Sequence, residues 1–240
     1  MTTETKPRTL GLVAGLGVGA GILYYRSLVN AHLARGFSPR LLMVHADVRT
    51  VLGLANERKA RQLADYLTEL LRQLAGGGAQ IATIPAFAPQ ICARELAEMT
   101  PLPLIDLLDA MVSEVKRRQF RRVAIFGARV TIETGLFSRL QNVAQVVSPR
   151  PAEIEKVSDI YGKIVEHEQA SAEEFQVLRS LAHTLIERES LDAILLAGTD
   201  FSFVFHPGNT DFPHLDGART HIDAIMRALF PETRHPLFPG

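Results

Sequence analysis

The sequence holds a single cysteine, Cys92, in 240 residues. That excludes a disulfide framework, a cysteine-based zinc site and any mechanism that needs two thiols. An excess of either charge is also missing, because 26 lysines and arginines face 26 aspartates and glutamates. With no net field to draw a polyanion, neither nucleic acid nor an anionic membrane surface is expected as a partner. The local run Lys116, Arg117, Arg118, Arg121 and Arg122 reads as a solvated helix end. No stretch approaches the roughly 18–20 apolar residues that cross a bilayer. The polar first eight residues carry no secretion signal. A soluble, cytoplasmic protein is therefore expected, and no G-x-S-x-G elbow offers a serine hydrolase. What the chain does have is apolar substance, 47% of residues, enough to bury a sizeable core in one or two domains.

Short apolar runs at 10–14, 41–45, 81–85, 123–126 and 193–197 predict buried strands, each too short for a helix. Between them the apolar residues recur three or four apart. The clearest case is 57–75, where Ala60, Leu63, Ala64, Leu67, Leu70, Leu71 and Leu74 form one stripe that Gly76, Gly77 and Gly78 end. Further helices are expected at 20–35, 90–99, 106–119, 133–140, 151–167, 172–188 and 218–229. This alternation means an α/β fold with mostly parallel sheets, whose ligands bind at the carboxyl ends of strands.

Those strand ends repeat. Gly15 and Gly127 are separated by 112 positions, and so are Ala86 and Gly198. The offset implies two pseudo-symmetric α/β domains, 1–113 plus 217–240 and 114–216, with the last helix returning to the first and a pocket in the cleft between them.

The loop Gly15, Gly17, Ala20 fits G-x-G-x-x-G/A after a strand, a spacing that lets backbone approach a pyrophosphate at a helix N-terminus. Three readings stand: a small-anion site, a tight turn made by glycine alone, and a dinucleotide site with Asp47 on a ribose. A short-chain dehydrogenase would pair Tyr with Lys four residues on, but Tyr161 is followed there by Val165.

Several landmarks occur in order: Gly15-Leu16-Gly17 leading to Tyr24-Tyr25-Arg26, then Ile84-Pro85-Ala86-Phe87-Ala88-Pro89-Gln90, then Gly127 with Thr131-Ile132-Glu133-Thr134-Gly135-Leu136-Phe137. Leu196-Ala197-Gly198-Thr199-Asp200 and Asp216-Gly217-Ala218-Arg219-Thr220-His221 complete them. Together they resemble the aspartate/glutamate racemase superfamily over almost the whole chain. The resemblance implies two α/β domains with a small amino acid or related carboxylate between them, no cofactor, a homodimer, and two cysteines opposed across the substrate as acid and base.

The sequence departs from that pattern where the chemistry is expected. Ala86 stands at the first cysteine station, with Phe87, Ala88 and Gln90 in place of its polar companions, and Gly198 stands at the second. Cys92 lies six residues past Ala86, in the following helix, and reads as a small buried hydrophobe. A proton donor and acceptor must then come from elsewhere. Asp200, after the empty second station, is the candidate general acid or base, and a loop-capping role is the other reading. Thr199 and His221 join it as candidate catalytic groups, with organisation of the pocket as the other reading of His221. Arg49 and Arg129, with Thr131, are expected to grip the polar ends of a substrate, lined further by Gly15, Gly17, Ala86, Phe87, Gln90 and Gly198. His206, Asp211 and His214 match no standard ligand spacing, so no metal is expected.

Two functions follow. One is a cofactor-independent enzyme on a small carboxylate that uses non-thiol acid/base groups, a lyase, decarboxylase or hydrolase rather than a two-cysteine racemase. The other is an inactive homologue that binds an amino-acid-like ligand.

Overall fold

The computed structural model describes residues 7–133 and 135–230. Thr134 of the landmark series and the last ten residues assigned to the first domain lie outside them. Strands β1 (Leu10–Ala14), β2 (Leu41–His45), β3 (Ile81–Thr83) and β4 (Leu104–Ile105) form one sheet in the order β2-β1-β3-β4. A second sheet, β6-β5-β7-β8, is built from β5 (Arg122–Gly127), β6 (Gln145–Val147), β7 (Ala193–Ala197) and β8 (His214–Asp216). Every pairing is parallel. The two orders match strand for strand, the duplication that the strand-end offset implied. The ladders differ slightly: Leu10 faces Ile81 in the first sheet, whereas Val123, one residue past the shared offset, faces Ala193 in the second.

The helices are α1 (Val18–Leu33), α2 (Val48–Asn56), α3 (Ala60–Gly76), α4 (Ala93–Met99), α5 (Leu107–Arg117), α6 (Arg129–Glu133), α7 (Pro151–His167), α8 (Ala172–Glu189) and α9 (Gly217–Leu229). Tight 3-10 turns cover Ala88–Cys92, Leu136–Leu140 and Thr199–Phe203. Where these differ from expectation the cause is local. The strand expected over 81–85 stops at Thr83, short of Pro85, which has no N–H for a ladder. The helix expected from 57 begins at Ala60, because Arg58 sits at a left-handed φ of 55°. The single helix expected over 133–140 is instead a short α6 and a 3-10 turn that follows Gly135 at φ 70°. Helix α2 was not expected at all; the Asp47 carboxylate caps it, accepting from the Arg49 N–H and the Thr50 hydroxyl.

Both faces of each sheet are covered. Leu63, Leu67 and Leu71 of α3 are fully buried beside Val13 and Ala82, each contributing about 1.5–3 kcal/mol by leaving water. On the other face of the first sheet α1 and α9 pack together, Tyr24 and Leu28 against Ile222 and Ile225. The second sheet carries α7 and α8 on one side and α5 on the other. Among the described residues no helix is long and apolar enough to cross a membrane. The loops at the carboxyl ends of β1, β3, β5 and β7 hold the candidate site.

Candidate active site

The glycine loop turns the chain from β1 into α1 with no room for side chains. Gly15 has φ 87°, and a Cβ there would lie 2.4 Å from the Ala46 carbonyl oxygen and 2.9 Å from the His45 ring. Gly17 caps α1 and supplies no side-chain hydrogen bond, so the first N–H groups of the helix need an outside acceptor. A carboxylate from the other half of the molecule lies at that end, beside the Ala20 N–H. Asp200, on the turn after β7, presses its carboxylate so close that a Cβ on Gly17 would stand 3.2 and 3.3 Å from its two oxygens. The anion at this loop is the chain's own.

Asp200 is only 2% exposed. The Tyr161 hydroxyl donates to Oδ2 at 3.2 Å and the Thr199 hydroxyl donates at 3.3 Å, while Oδ1, also buried, has no hydrogen-bond partner among the described residues. Burial pushes the carboxyl up to about 6, against the downward pull of Tyr161, Thr199 and the Ala20 N–H. A carboxyl held there is half-protonated at about pH 6 and keeps roughly a tenth of its protons at pH 7, within the range that a general acid or base uses.

Tyr161 is the member that sequence reasoning missed. It comes from α7, far in sequence, and its ring packs on Phe201 with centroids 4.8 Å apart. A Cβ on Gly198 would lie 2.2 Å from its Cε2, 2.4 Å from Cζ and 2.8 Å from the phenol oxygen. The side-chain space of position 198 is thus filled by a tyrosine. Burial and the neighbouring Asp200 charge raise this phenol well above its usual range, so it keeps its proton. The one sequence signal was a glycine at a station where the resemblance demands a side chain.

The other station has a different character. Ala86 is buried, and Phe87 turns into the core with Leu107, Met111 and Leu195, stacked on Phe137 at 6.0 Å and lying against Gly217. Phe87 therefore packs the two halves together, which a sequence reading of it as pocket lining did not distinguish. The Gln90 amide donates back to the Ala86 carbonyl at 3.0 Å. Cys92 is fully buried, its thiol donating to the Pro89 carbonyl and pushed up to about 12 by burial. This side brings no ionisable group to match Asp200.

The remaining candidates lie apart from the Asp200 contact. His221 is fully buried between α9 and the first sheet. Its Nε2 contacts the Ile105 carbonyl at 3.0 Å and Thr83 Oγ1 at 2.9 Å; since a carbonyl can only accept, Nε2 carries the proton and Nδ1 accepts from the Tyr24 hydroxyl at 3.0 Å. Burial holds this ring down to about 4, a neutral tie within the core. Arg49 is exposed on the first turn of α2, and Arg129 is exposed and paired with Glu133 at 3.2 Å. Thr131 is buried beside Gly127. Asp47, engaged as a cap, is drawn lower by those hydrogen bonds rather than free for a ribose. Asp211 pairs with Arg179 and His183 instead of gathering His206 and His214, and no group of three potential metal ligands occurs among the described residues. A cavity of about 330 Å³ opens between the halves beside Gln90, lined by Arg58, by Arg94 paired with Glu95 and by Arg139 paired with Asp106 and Asp109.

The geometry has clear relatives. The family described as Asp/Glu/Hydantoin racemase matches residues 13–225. No curated protein sequence matches the chain. Among solved structures, a proposed Asp/Glu racemase from Yersinia pestis is similar with a TM-score of 0.78 at 20% identity, over 90% of this chain and 96% of the other. An aspartate racemase homologue from Pyrococcus horikoshii OT3 gives 0.76 at 18% identity, over 92% and 99%. A glutamate racemase from Francisella tularensis, solved with D-glutamate, gives 0.61 at 15%, over 97% and 84%. At such identities these structures speak for the fold alone, the same duplicated arrangement of two parallel sheets. With the family match spanning both sheets and every landmark loop, the chain belongs to the Asp/Glu/hydantoin racemase family.

Proposed function

We propose that the protein is a cofactor-independent enzyme acting on a small amino acid or related carboxylate, with Asp200 as its general acid or base and Thr199 beside it. The observation that carries this is a buried carboxyl with one unpartnered oxygen, pushed up to about 6, at the strand end where the family resemblance expects the second thiol. Retaining such a group costs stability, which selection tolerates at sites that move protons. At the opposite station Ala86, Phe87 and Gln90 supply no titratable group. One-sided proton handling suits a lyase, decarboxylase or hydrolase better than racemisation, which needs acid and base on opposite faces. Exposed Arg49 and Arg129 are the groups proposed to receive substrate carboxylates.

The test is solvent deuterium incorporation and product formation in D₂O with L- and D-amino acids, 2-substituted malonates and 3-oxo acids. Turnover without inversion is expected for at least one compound. Inversion at a rate matching a two-thiol racemase would refute the one-sided reading. An inactive homologue that binds an amino-acid-like ligand is the second reading, favoured by the Tyr161 ring that fills the side-chain space of Gly198. Ligand-dependent thermal stabilisation with no turnover would select it.

We further propose a cytoplasmic homodimer of two-domain subunits, divided as 1–113 plus 217–240 and 114–216. Exposed Val18, Ile22, Tyr25 and Leu33 follow one another along α1 at helical spacing, a patch suited to self-association. Sedimentation is expected to give a dimer that Ile22→Glu dissociates; a monomer at micromolar concentration would remove the idea.

A further inference from the structure

We propose that the Tyr161 phenol takes over the position of the absent thiol as the proton donor to a carbanion-like carbon of the substrate, with Asp200 resupplying the proton. This rests on the enzyme reading above and names the group that would touch substrate.

The placement argues for it. The phenol oxygen lies 2.8 Å from where a Cβ of residue 198 would be, so the ring and its hydroxyl take up the space that a side chain there would need. Asp200 lies behind it, bonded to the phenol through Oδ2 and pressed against the amino end of α1. The nearby Ser202 hydroxyl is committed to the Asp216 carboxylate at 2.7 Å, so it does not compete. Tyr161 is fixed by its packing on Phe201, which gives the donor one position rather than many.

The chemistry narrows the substrate. A buried phenol beside a carboxylate stays protonated at every working pH, so it donates and does not abstract. It can protonate only a strong base, such as an electron pair left on carbon next to a carboxylate or carbonyl. That pair must come from cleavage of a bond other than C–H, which points to a carboxylate that loses CO₂ or another carbon fragment. In the step, the C–C bond breaks and leaves its electrons on the substrate carbon as an enediolate. The Tyr161 O–H bond then breaks, a C–H bond forms, and the electron pair stays on the phenol oxygen. The Asp200 carboxyl proton crosses the same 3.2 Å contact to that oxygen, leaving Asp200 as carboxylate, which solvent reprotonates. No oxidant or reductant is required.

The experiment uses the full chain and whichever panel compound it turns over in D₂O. Tyr161→Phe keeps the ring and removes the donor; it is expected to lower kcat at least ~100-fold with KM within about twofold. Wild-type kcat is expected to fall as pH rises through about 6, where Asp200 loses its proton. Replacing Tyr161 by 3,5-difluorotyrosine, which leaves packing intact and makes the phenol more acidic, is expected to shift that profile. Wild-type rates in Tyr161→Phe, or an unmoved profile in the fluorinated protein, would overturn the proposal and leave Asp200 as the acid or base, provided Asp200→Asn is inactive. If wild type turns over no compound in the panel, both this proposal and the enzyme reading fall together.

Discussion

Asp200→Asn is expected to gain on the order of 2 kcal/mol of folding stability at pH 8 and, in the proposed enzyme, to lose turnover by about 10²-fold or more. The gain follows from where the carboxyl titrates. In the folded protein it holds its proton until about pH 6, whereas in the unfolded chain it ionises near 3.8. Below pH 3.8 both states are protonated and the group is neutral to stability. Between 3.8 and 6 the unfolded state ionises first, so stability falls as pH rises, and above 6 the whole deficit persists. Each unit is worth about 1.4 kcal/mol, less roughly 1 kcal/mol for the amide N–H left without a partner in the variant. His221 works in the opposite sense. Its ring titrates at about 4 when folded and near 6.5 when unfolded, so its contribution is complete above pH 6.5 and lost as pH falls toward 4. The two slopes oppose each other between pH 4 and 6, which flattens the wild-type curve there. The variant exposes the histidine slope. Urea midpoints of the two proteins should therefore coincide near pH 4 and separate by pH 8, and coincidence at pH 8 would mean that Asp200 carries no buried charge.

Much of this architecture is legible in the sequence because burial alone specifies it. The bounds of β1 and β7 and of helix α7 fall where apolar runs and periodicity place them; those of β2 do too, but it is an edge strand with Met43 and His45 exposed rather than the buried strand expected. Strands β4, β6 and β8 are two or three residues long, below the length at which a period can be read, and only the pairing of a neighbouring strand creates them. At the site, Asp200 and Thr199 were visible as polar residues at a strand end. Their partners were not. Gly17 reads as a turn glycine whether or not a carboxylate from 183 residues away presses on it. Tyr161 looks like any aromatic on an amphipathic helix, and nothing local says that its ring enters the empty space at Gly198. Phe87 illustrates the converse, since an apolar side chain at a strand end has the same appearance whether it lines a pocket or, as here, seals two halves together. His221 was marked by its place in a landmark, but its role depends on the Ile105 carbonyl, which no sequence pattern announces.

Gly198→Ala is expected to destabilise the protein by about 3 kcal/mol or more, although it adds one methyl group. The backbone is not the reason, since φ −146° and ψ 119° at Gly198 are open to any residue. The cost is contact: the new Cβ would stand 2.2 and 2.4 Å from two ring carbons of Tyr161, inside any real carbon–carbon approach. The ring cannot simply swing aside, because Phe201 packs on it and its hydroxyl is bonded to Asp200. If it does move, Asp200 loses a donor and stands buried with less to satisfy it. A control lies next door, since a Cβ on Gly162 of the same helix meets nothing within 4 Å and Gly162→Ala is expected to gain about 0.5–1 kcal/mol. Chemical denaturation of Gly198→Ala, Tyr161→Ala and the double variant then separates clash from cavity. The double variant should be more stable than the sum of the two losses predicts, because each substitution removes the other's penalty. Simple additivity would show that the ring and position 198 do not share one space. Strong coupling would mean that Gly198→Cys alone cannot seat a thiol there, because phenol and glycine exclude it as a pair.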